Sequence, residues 1–211
     1  MNILFVHGLG ATPLDALPTL MRLKKWGYQT STFSYFSSVQ TLDAIKARLR
    51  QRLAKLARGG DYALIGHSLG GVLLRDVLSS LPVEVRRPGH LFLVGSPVLA
   101  TRTNMYFSRH ALYRWLSGEC GQLVASQEQM RAIAMPTLPT TCVIGSKGFT
   151  GRRSPFGDKA NDSVVLESEL CPQLFSDVVR IAARHPMLPS HRDLAPLVHR
   201  RLAAITRPDA A

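Results

Sequence analysis

Hydrophobic positions along the chain alternate between short continuous runs and a three-to-four-residue spacing, the signatures of strands and of amphipathic helices. Apolar runs rich in β-branched and aromatic residues predict strands over 3–6, 28–34, 62–65, 91–94, 141–144 and 178–182. Helical spacing predicts helices over 16–25, 42–57, 70–80 and 195–204. The second of these is the clearest. Ile45, Leu49, Leu53 and Leu56 form its apolar side, while Arg48, Arg50, Arg52, Lys55 and Arg58 fall elsewhere. Alternating strands and helices predict a parallel sheet with helices on both faces, because parallel strands need long crossover connections.

The rhythm breaks after Ser96. Segment 97–139 holds Met105, Tyr106, Phe107, Leu112, Tyr113, Trp115 and Leu116, too apolar a set for a free loop. It predicts an excursion, or cap, inserted into a single domain spanning 1–211. A second long connection, 146–161, is rich in Gly, Ser, Lys and Arg. No internal repeat, low-complexity tract or linker interrupts the pattern, and residues 208–211 are expected to fray.

Composition narrows the class. A chain of 211 residues with 45% hydrophobic and 19% charged residues suits one soluble globular core. No apolar run approaches the ~20 residues needed to cross a bilayer. The strand-like start shows neither a charged leader nor a small-residue cleavage site, so no secretory signal is expected. Cys120, Cys142 and Cys171 are odd in number, widely spaced and free of any C-x-x-C pair, which fits reduced thiols. Together these features predict a cytoplasmic protein. Lys and Arg outnumber Asp and Glu 26 to 14, a formal charge of +12. The excess reads either as solvated helix faces or as a surface for an anionic partner, such as a membrane. Nucleic acid is not expected as a partner, since the arginines are spread and no recognition motif appears.

The chemistry centres on Gly66-His67-Ser68-Leu69-Gly70-Gly71, which places a serine between glycines at i−2 and i+2. Between a strand and a helix, this is the pattern of a nucleophile elbow. The glycines let the two elements approach closely and leave the Ser68 hydroxyl exposed at the tip. A serine hydroxyl needs a base in reach, an acid to orient the base, and donors for the developing oxyanion. With the acid and then the histidine following the elbow in chain order, the candidate bases are His185, His191 and His199. His185 follows the last strand by a few residues, His191 lies nearer the last helix, and His199 sits inside it. Asp162, in a polar turn before Val164-Val165, is the favoured acid and Asp158 its alternative. The Leu69 N–H begins the helix, and the loop His7-Gly8-Leu9-Gly10 after the first strand offers the Leu9 N–H as second donor. His7 itself reads as a structural residue. Gly8-Leu9-Gly10 is no dinucleotide loop, since the third glycine position falls on Pro13. No phosphate-binding loop and no metal-ligand cluster emerges, so neither cofactor nor metal is expected.

The N-terminal strand with His7-Gly8-Leu9-Gly10, the elbow, Leu91-Phe92-Leu93-Val94-Gly95-Ser96-Pro97, Asn161-Asp162-Ser163-Val164-Val165 and the region His185-Pro186-Met187-Leu188-Pro189-Ser190 span nearly the whole chain. In this combination the chain resembles the α/β-hydrolase superfamily, and within it the small lipase- or esterase-like bacterial members. Ser163 stands where such relatives often carry glycine, and Pro186 departs from their usual pattern after the histidine. The resemblance implies a minimal six-stranded, mostly parallel sheet flanked by helices on both faces. The first two hairpin-like strands of larger relatives would be missing, and the cap would follow the fourth strand. It also implies a cofactor-independent serine hydrolase that cleaves carboxylic esters, of carboxylesterase or lipase type. Ser68 would be the nucleophile, His185 the base, Asp162 the acid, and the Leu9 and Leu69 amides the oxyanion hole. The substrate would be a small-molecule ester or a lipid, with Phe107 and Trp115 lining an acyl pocket or completing the core. An acyltransferase or thioesterase would use the same residues. A non-catalytic binding module that kept the fold is the reading from another class.

Overall fold

In the computed structural model, which describes residues 1–152 and 154–206, six strands pair into one all-parallel sheet. They are β1 (Asn2–Val6), β2 (Gln29–Phe33), β3 (Tyr62–His67), β4 (His90–Val94), β5 (Thr140–Gly145) and β6 (Asp177–Ile181), in the order β2-β1-β3-β4-β5-β6. The helices are α1 (Leu17–Lys25), α2 (Leu42–Arg58), α3 (Leu69–Ser79), α4 (Arg102–Phe107), α5 (Ala111–Ala125), α6 (Gln127–Ala132), α7 (Glu167–Leu170) and α8 (Leu194–Thr206).

The two-residue period of the strands divides the core between two faces. Ile3, Phe5, Ala63, Ile65, Phe92 and Val94 pack with Leu20 and Leu23 of α1 and with Leu194, Leu197 and Val198 of α8. The alternate residues Leu4, Val6, Leu64, Leu91 and Leu93 pack with Ile45, Leu49 and Leu53 of α2 and with Val72, Leu73 and Val77 of α3. Central strands covered on both sides must be apolar throughout, and β3 and β4 are buried along their whole length. β2 lies at an edge and tolerates the sequence Gln-Thr-Ser-Thr-Phe.

The order of strands matters for the site. From β1 the chain goes first to one edge, for β2, and then to the other side, for β3. The crevice between the carboxyl ends of two such strands is where parallel α/β sheets bind ligands. β3 extends two residues beyond the apolar run that predicted it, because Gly66 and His67 are registered opposite Leu93 and Val94 of β4.

Segment 97–139 is helical. Its second half enters the core, with Cys120, Leu123, Val124, Met130 and Ile133 packed beside α3. Its first half starts with buried Val98, Ala100 and Thr101 and then moves outward: α4 buries no side chain, and Leu112, Trp115 and Leu116 of α5 are exposed. α5 is broken at Gly118, where φ is +55°. α7 lacks any sequence signal, being a single turn whose Glu169 carboxylate accepts from the Leu166 N–H at 2.8 Å. The three cysteines are buried separate thiols. Burial pushes the Cys120 thiol up to about 11 and the Cys142 thiol to about 12, which leaves both unreactive near neutral pH. Among the described residues, no helix is long and apolar enough to cross a membrane.

Candidate active site

Ser68 stands between β3 and α3 with φ +52° and ψ −124°, a conformation that costs a non-glycine residue about 1–3 kcal/mol. The flanking glycines make the turn possible. A Cβ on Gly66 would lie 2.4 Å from the Gly71 Cα, and one on Gly70 would lie 2.2 Å from the Val6 carbonyl oxygen. The Ser68 N–H donates to the Val94 carbonyl at 2.9 Å, anchoring the turn to β4. The Ser68 hydroxyl has no hydrogen-bond partner among the described residues and borders a cavity of about 410 Å³.

His185 enters the same cavity from the loop after β6. Its Nδ1 lies 2.6 Å from Asp162 Oδ2, and its backbone N–H donates to the Asp162 carbonyl at 2.7 Å. The other carboxylate oxygen, Oδ1, accepts from the Val164 and Val165 N–H groups at 3.0 and 2.8 Å. Asp162 is therefore locked by its own turn, and both partners are buried. A carboxylate on Nδ1 fixes the proton there and leaves Nε2 with a free lone pair, the tautomer of a general base.

A second imidazole supports the first. His67, buried beside Ser68, reaches the His185 carbonyl oxygen through Nε2 at 3.1 Å, with the two ring centroids 4.8 Å apart. Since a carbonyl only accepts, His67 Nε2 carries the proton and its buried Nδ1 has no partner. Burial, reinforced by the neighbouring His185 ring, pulls the His67 pKa well below its usual value. An uncharged His67 ring can thus pack against His185.

The predicted oxyanion donors also border the cavity, Leu9 from the loop after β1 and Leu69 at the first turn of α3. The Leu69 N–H has no acceptor within its helix, as for every first-turn amide. The loop comes close: a Cβ on Gly8 would lie 3.0 Å from the Ser68 Cβ. His7 holds this loop in place. Its ring stacks on Tyr35 at 4.3 Å between centroids, its Nδ1 donates to the Gly8 carbonyl, and its Nε2 accepts from the Tyr35 N–H.

Other sequence candidates lie elsewhere. His191 accepts from the Asp193 N–H and stays outside the cavity, and His199 meets Tyr28 and Trp26 on the far face. Asp158 accepts from the Gly151 N–H in an exposed turn. Phe107 lines the cavity, but Trp115 does not: it sits on the outer face of α5 with 69% of its surface exposed. Trp115 neither lines the pocket nor completes the core, because α5 turns Cys120, Leu123 and Val124 inward and leaves Trp115 outside. The cavity wall also includes Asp15, Thr101, Thr103, Asn104, Tyr113, Val124, Val164 and Val165. Of these, Tyr113 stands out in the sequence within the apolar set of segment 97–139, and Val164 and Val165 adjoin Asp162; the others carry no signal of their own. The Tyr113 hydroxyl donates to Asn104 Oδ1, tying α5 to α4 over the site. Among the described residues, no group of His, Cys, Asp and Glu is arranged to hold a metal ion.

No family model matches the sequence, and no curated protein matches it significantly. Solved structures do share its architecture. The RedJ thioesterase of the prodiginine biosynthetic pathway in Streptomyces coelicolor is 16% identical, with 97% of this chain and 90% of that one covered at a TM-score of 0.62. A metagenome-derived lipolytic enzyme, reported with the pair LipS and LipT, is 13% identical, with 98% and 93% covered at 0.67. An extracellular α/β-hydrolase from a Paenibacillus species is 14% identical, with 97% and 98% covered at 0.62. The chain has the α/β-hydrolase fold.

Proposed function

We propose that the protein is a serine hydrolase that cleaves carboxylic esters through an acyl-enzyme on Ser68. The observation that carries this reading is the 2.6 Å contact of His185 Nδ1 with the buried Asp162 carboxylate, in a cavity that the unpartnered Ser68 hydroxyl also borders. As Ser68 Oγ bonds to the ester carbonyl carbon, its proton passes to His185 Nε2 and the carbonyl electrons move onto oxygen. The Leu9 and Leu69 N–H groups face that oxyanion. Collapse breaks the ester C–O bond, and His185 returns the proton to the leaving alcohol. Water then gives its proton to His185 as it attacks the acyl group, and collapse releases the acid and restores Ser68. Asp162 keeps the imidazole in one tautomer and stabilises the imidazolium without accepting its proton.

A fluorophosphonate probe is expected to label Ser68 in the wild type and nothing in Ser68→Ala. Ester turnover should fall roughly 10⁴-fold in Ser68→Ala and about as far in His185→Ala, since the members act as a unit. Asp162→Asn should cost somewhat less. Substantial turnover by Ser68→Ala would end this mechanism. Likeness to RedJ favours a second reading, a thioesterase using the same residues. Comparing kcat/KM for an oxyester and a thioester of the same acyl group separates the two.

A further inference from the structure

A second cavity, of about 480 Å³, adjoins the first and shares Thr103 and Phe107 with it. We propose that it is a substrate compartment that takes an apolar or aromatic arm ending in an anionic group, a carboxylate or a phosphate. The proposal rests on the hydrolase reading above, since the arm belongs to the molecule whose ester bond lies at Ser68.

The walls indicate the ligand chemistry. Tyr106, Phe107, Phe149 and Phe156 line the compartment, and only Phe156 of these is buried. Phenyl rings left half-exposed around a concavity lose water when a flat or chain-like apolar group enters. One arginine, Arg102, lines the compartment, and a second, Arg184, outside its lining, packs on one of the wall rings, 4.8 Å from the Phe149 centroid. Neither forms a side-chain ion pair among the described residues. Glu169, whose carboxylate is electrostatically coupled to Arg102, spends its oxygens on the Arg102 and Leu166 N–H groups. Unpaired cations beside aromatic faces select an apolar group that carries a negative charge.

The wall is also built in advance, from the turn that supplies the catalytic acid. Buried Asn161, the residue before Asp162, accepts through Oδ1 from the Phe149 and Ser163 N–H groups at 3.0 and 2.9 Å. Its amide nitrogen donates to the Phe149 carbonyl at 2.9 Å, so one side chain fixes both sides of the compartment. Ser163 has φ +88°, where glycine would sit without strain and serine costs about 1–3 kcal/mol. Its hydroxyl has no partner among the described residues, and its side chain lines the compartment. The fold does not need that hydroxyl. A ligand atom in the compartment would use it, and the strain marks Ser163 as a specificity residue.

The test uses the full-length protein, with 4-phenylbutyrate and neutral 4-phenylbutanol as probes and binding read by titration calorimetry. The carboxylate is expected to bind about tenfold more tightly than the alcohol. Arg102→Gln combined with Arg184→Gln should abolish that difference, and Phe149→Ala should weaken both probes. Ser163→Gly should raise the melting temperature while loosening carboxylate binding, a combination that a purely structural serine would not give. Ser68→Ala should leave probe binding unchanged, and a wild-type protein that binds 4-phenylbutyrate but turns over neither an oxyester nor a thioester would overturn the hydrolase reading and not the compartment. Among hydrolysed esters, those with a distal carboxylate should show the lower KM. Placing the carboxylate on the acyl side or on the alcohol side identifies which arm is held, and carboxylate against phosphate termini identifies the anion. No binding, or binding indifferent to the arginine and Phe149 substitutions, overturns the proposal.

Discussion

Burial holds the His67 imidazole neutral in the folded protein, and the consequence is a pH effect on stability. In the unfolded chain the ring regains a pKa near 6.5, whereas in the fold it titrates well below that; His7 and His90 are shifted in the same direction by burial. As pH falls below about 6.5, the unfolded state therefore takes up protons that the folded state refuses, and stability drops. The stabilising contribution is fully present above 6.5 and is lost toward the lowered folded values. His67→Gln keeps an N–H for the His185 carbonyl and removes one titrating group. Its melting temperature should fall less than that of the wild type between pH 7.5 and pH 5.5. Equal losses would assign the acid sensitivity to His7 and His90. At this scale the elbow was legible in the sequence, because the close approach at Gly66 and Gly70 admits only glycine. Asp162 over Asp158 rested on a turn pattern and His185 over His191 on distance from a strand end. Trp115 was misplaced because composition cannot tell an inner helix face from an outer one when both are apolar. The role of His67 stayed hidden, since its partner is a backbone carbonyl 118 residues away in sequence.

Arg75 shows how one element holds another. It lies on α3, the helix that begins after Ser68, and is 1% exposed. Its guanidinium donates to the Pro97 carbonyl at 3.3 Å and to the Ile133 carbonyl at 2.9 Å, one near each end of the helical excursion. Burial lowers its pKa to about 10, so it stays charged at neutral pH. Arg75→Met strands two buried carbonyls and recovers part of the desolvation cost. A net loss of about 2 kcal/mol, or roughly 5 °C in melting temperature, is expected. An unchanged melting temperature would mean that the excursion is held by its apolar core alone. The excursion is also where element prediction ran out. α4 and α6 are six residues long, and α5 changes direction at Gly118, so no single period runs through the segment. α2, by contrast, keeps one apolar stripe over 17 residues and was readable to within a residue.

For the molecule as a whole, strand–helix alternation was enough to place helices on both faces of a parallel sheet. It does not specify the strand order, which follows from tertiary packing. Several exposed apolar residues lie in segments that leave the strands. Leu14 and Leu17 follow β1, Phe36 and Val39 follow β2, and Leu112, Trp115 and Leu116 follow β4. In an all-parallel sheet these segments emerge at the carboxyl end of the strands, the end that carries Ser68. Arg102, Arg109 and Arg114 are interleaved in sequence with the aromatic residues Tyr106, Phe107, Tyr113 and Trp115 of this segment, in a chain of formal charge +12. Leu112, Trp115 and Leu116 are spaced three and four apart on α5 and so share one face. An exposed apolar helix face in a strongly basic chain suits an anionic lipid surface, where each basic residue contributes about 1 kcal/mol. The protein is expected to sediment with vesicles containing phosphatidylglycerol and not with pure phosphatidylcholine. Salt should weaken the association by screening. Trp115→Ala should reduce it without lowering the melting temperature, because the ring is already exposed. Binding to neither vesicle would leave this face idle and the site open to dissolved substrate alone; binding to both alike would mean that apolar insertion, not charge, brings the site mouth to the membrane.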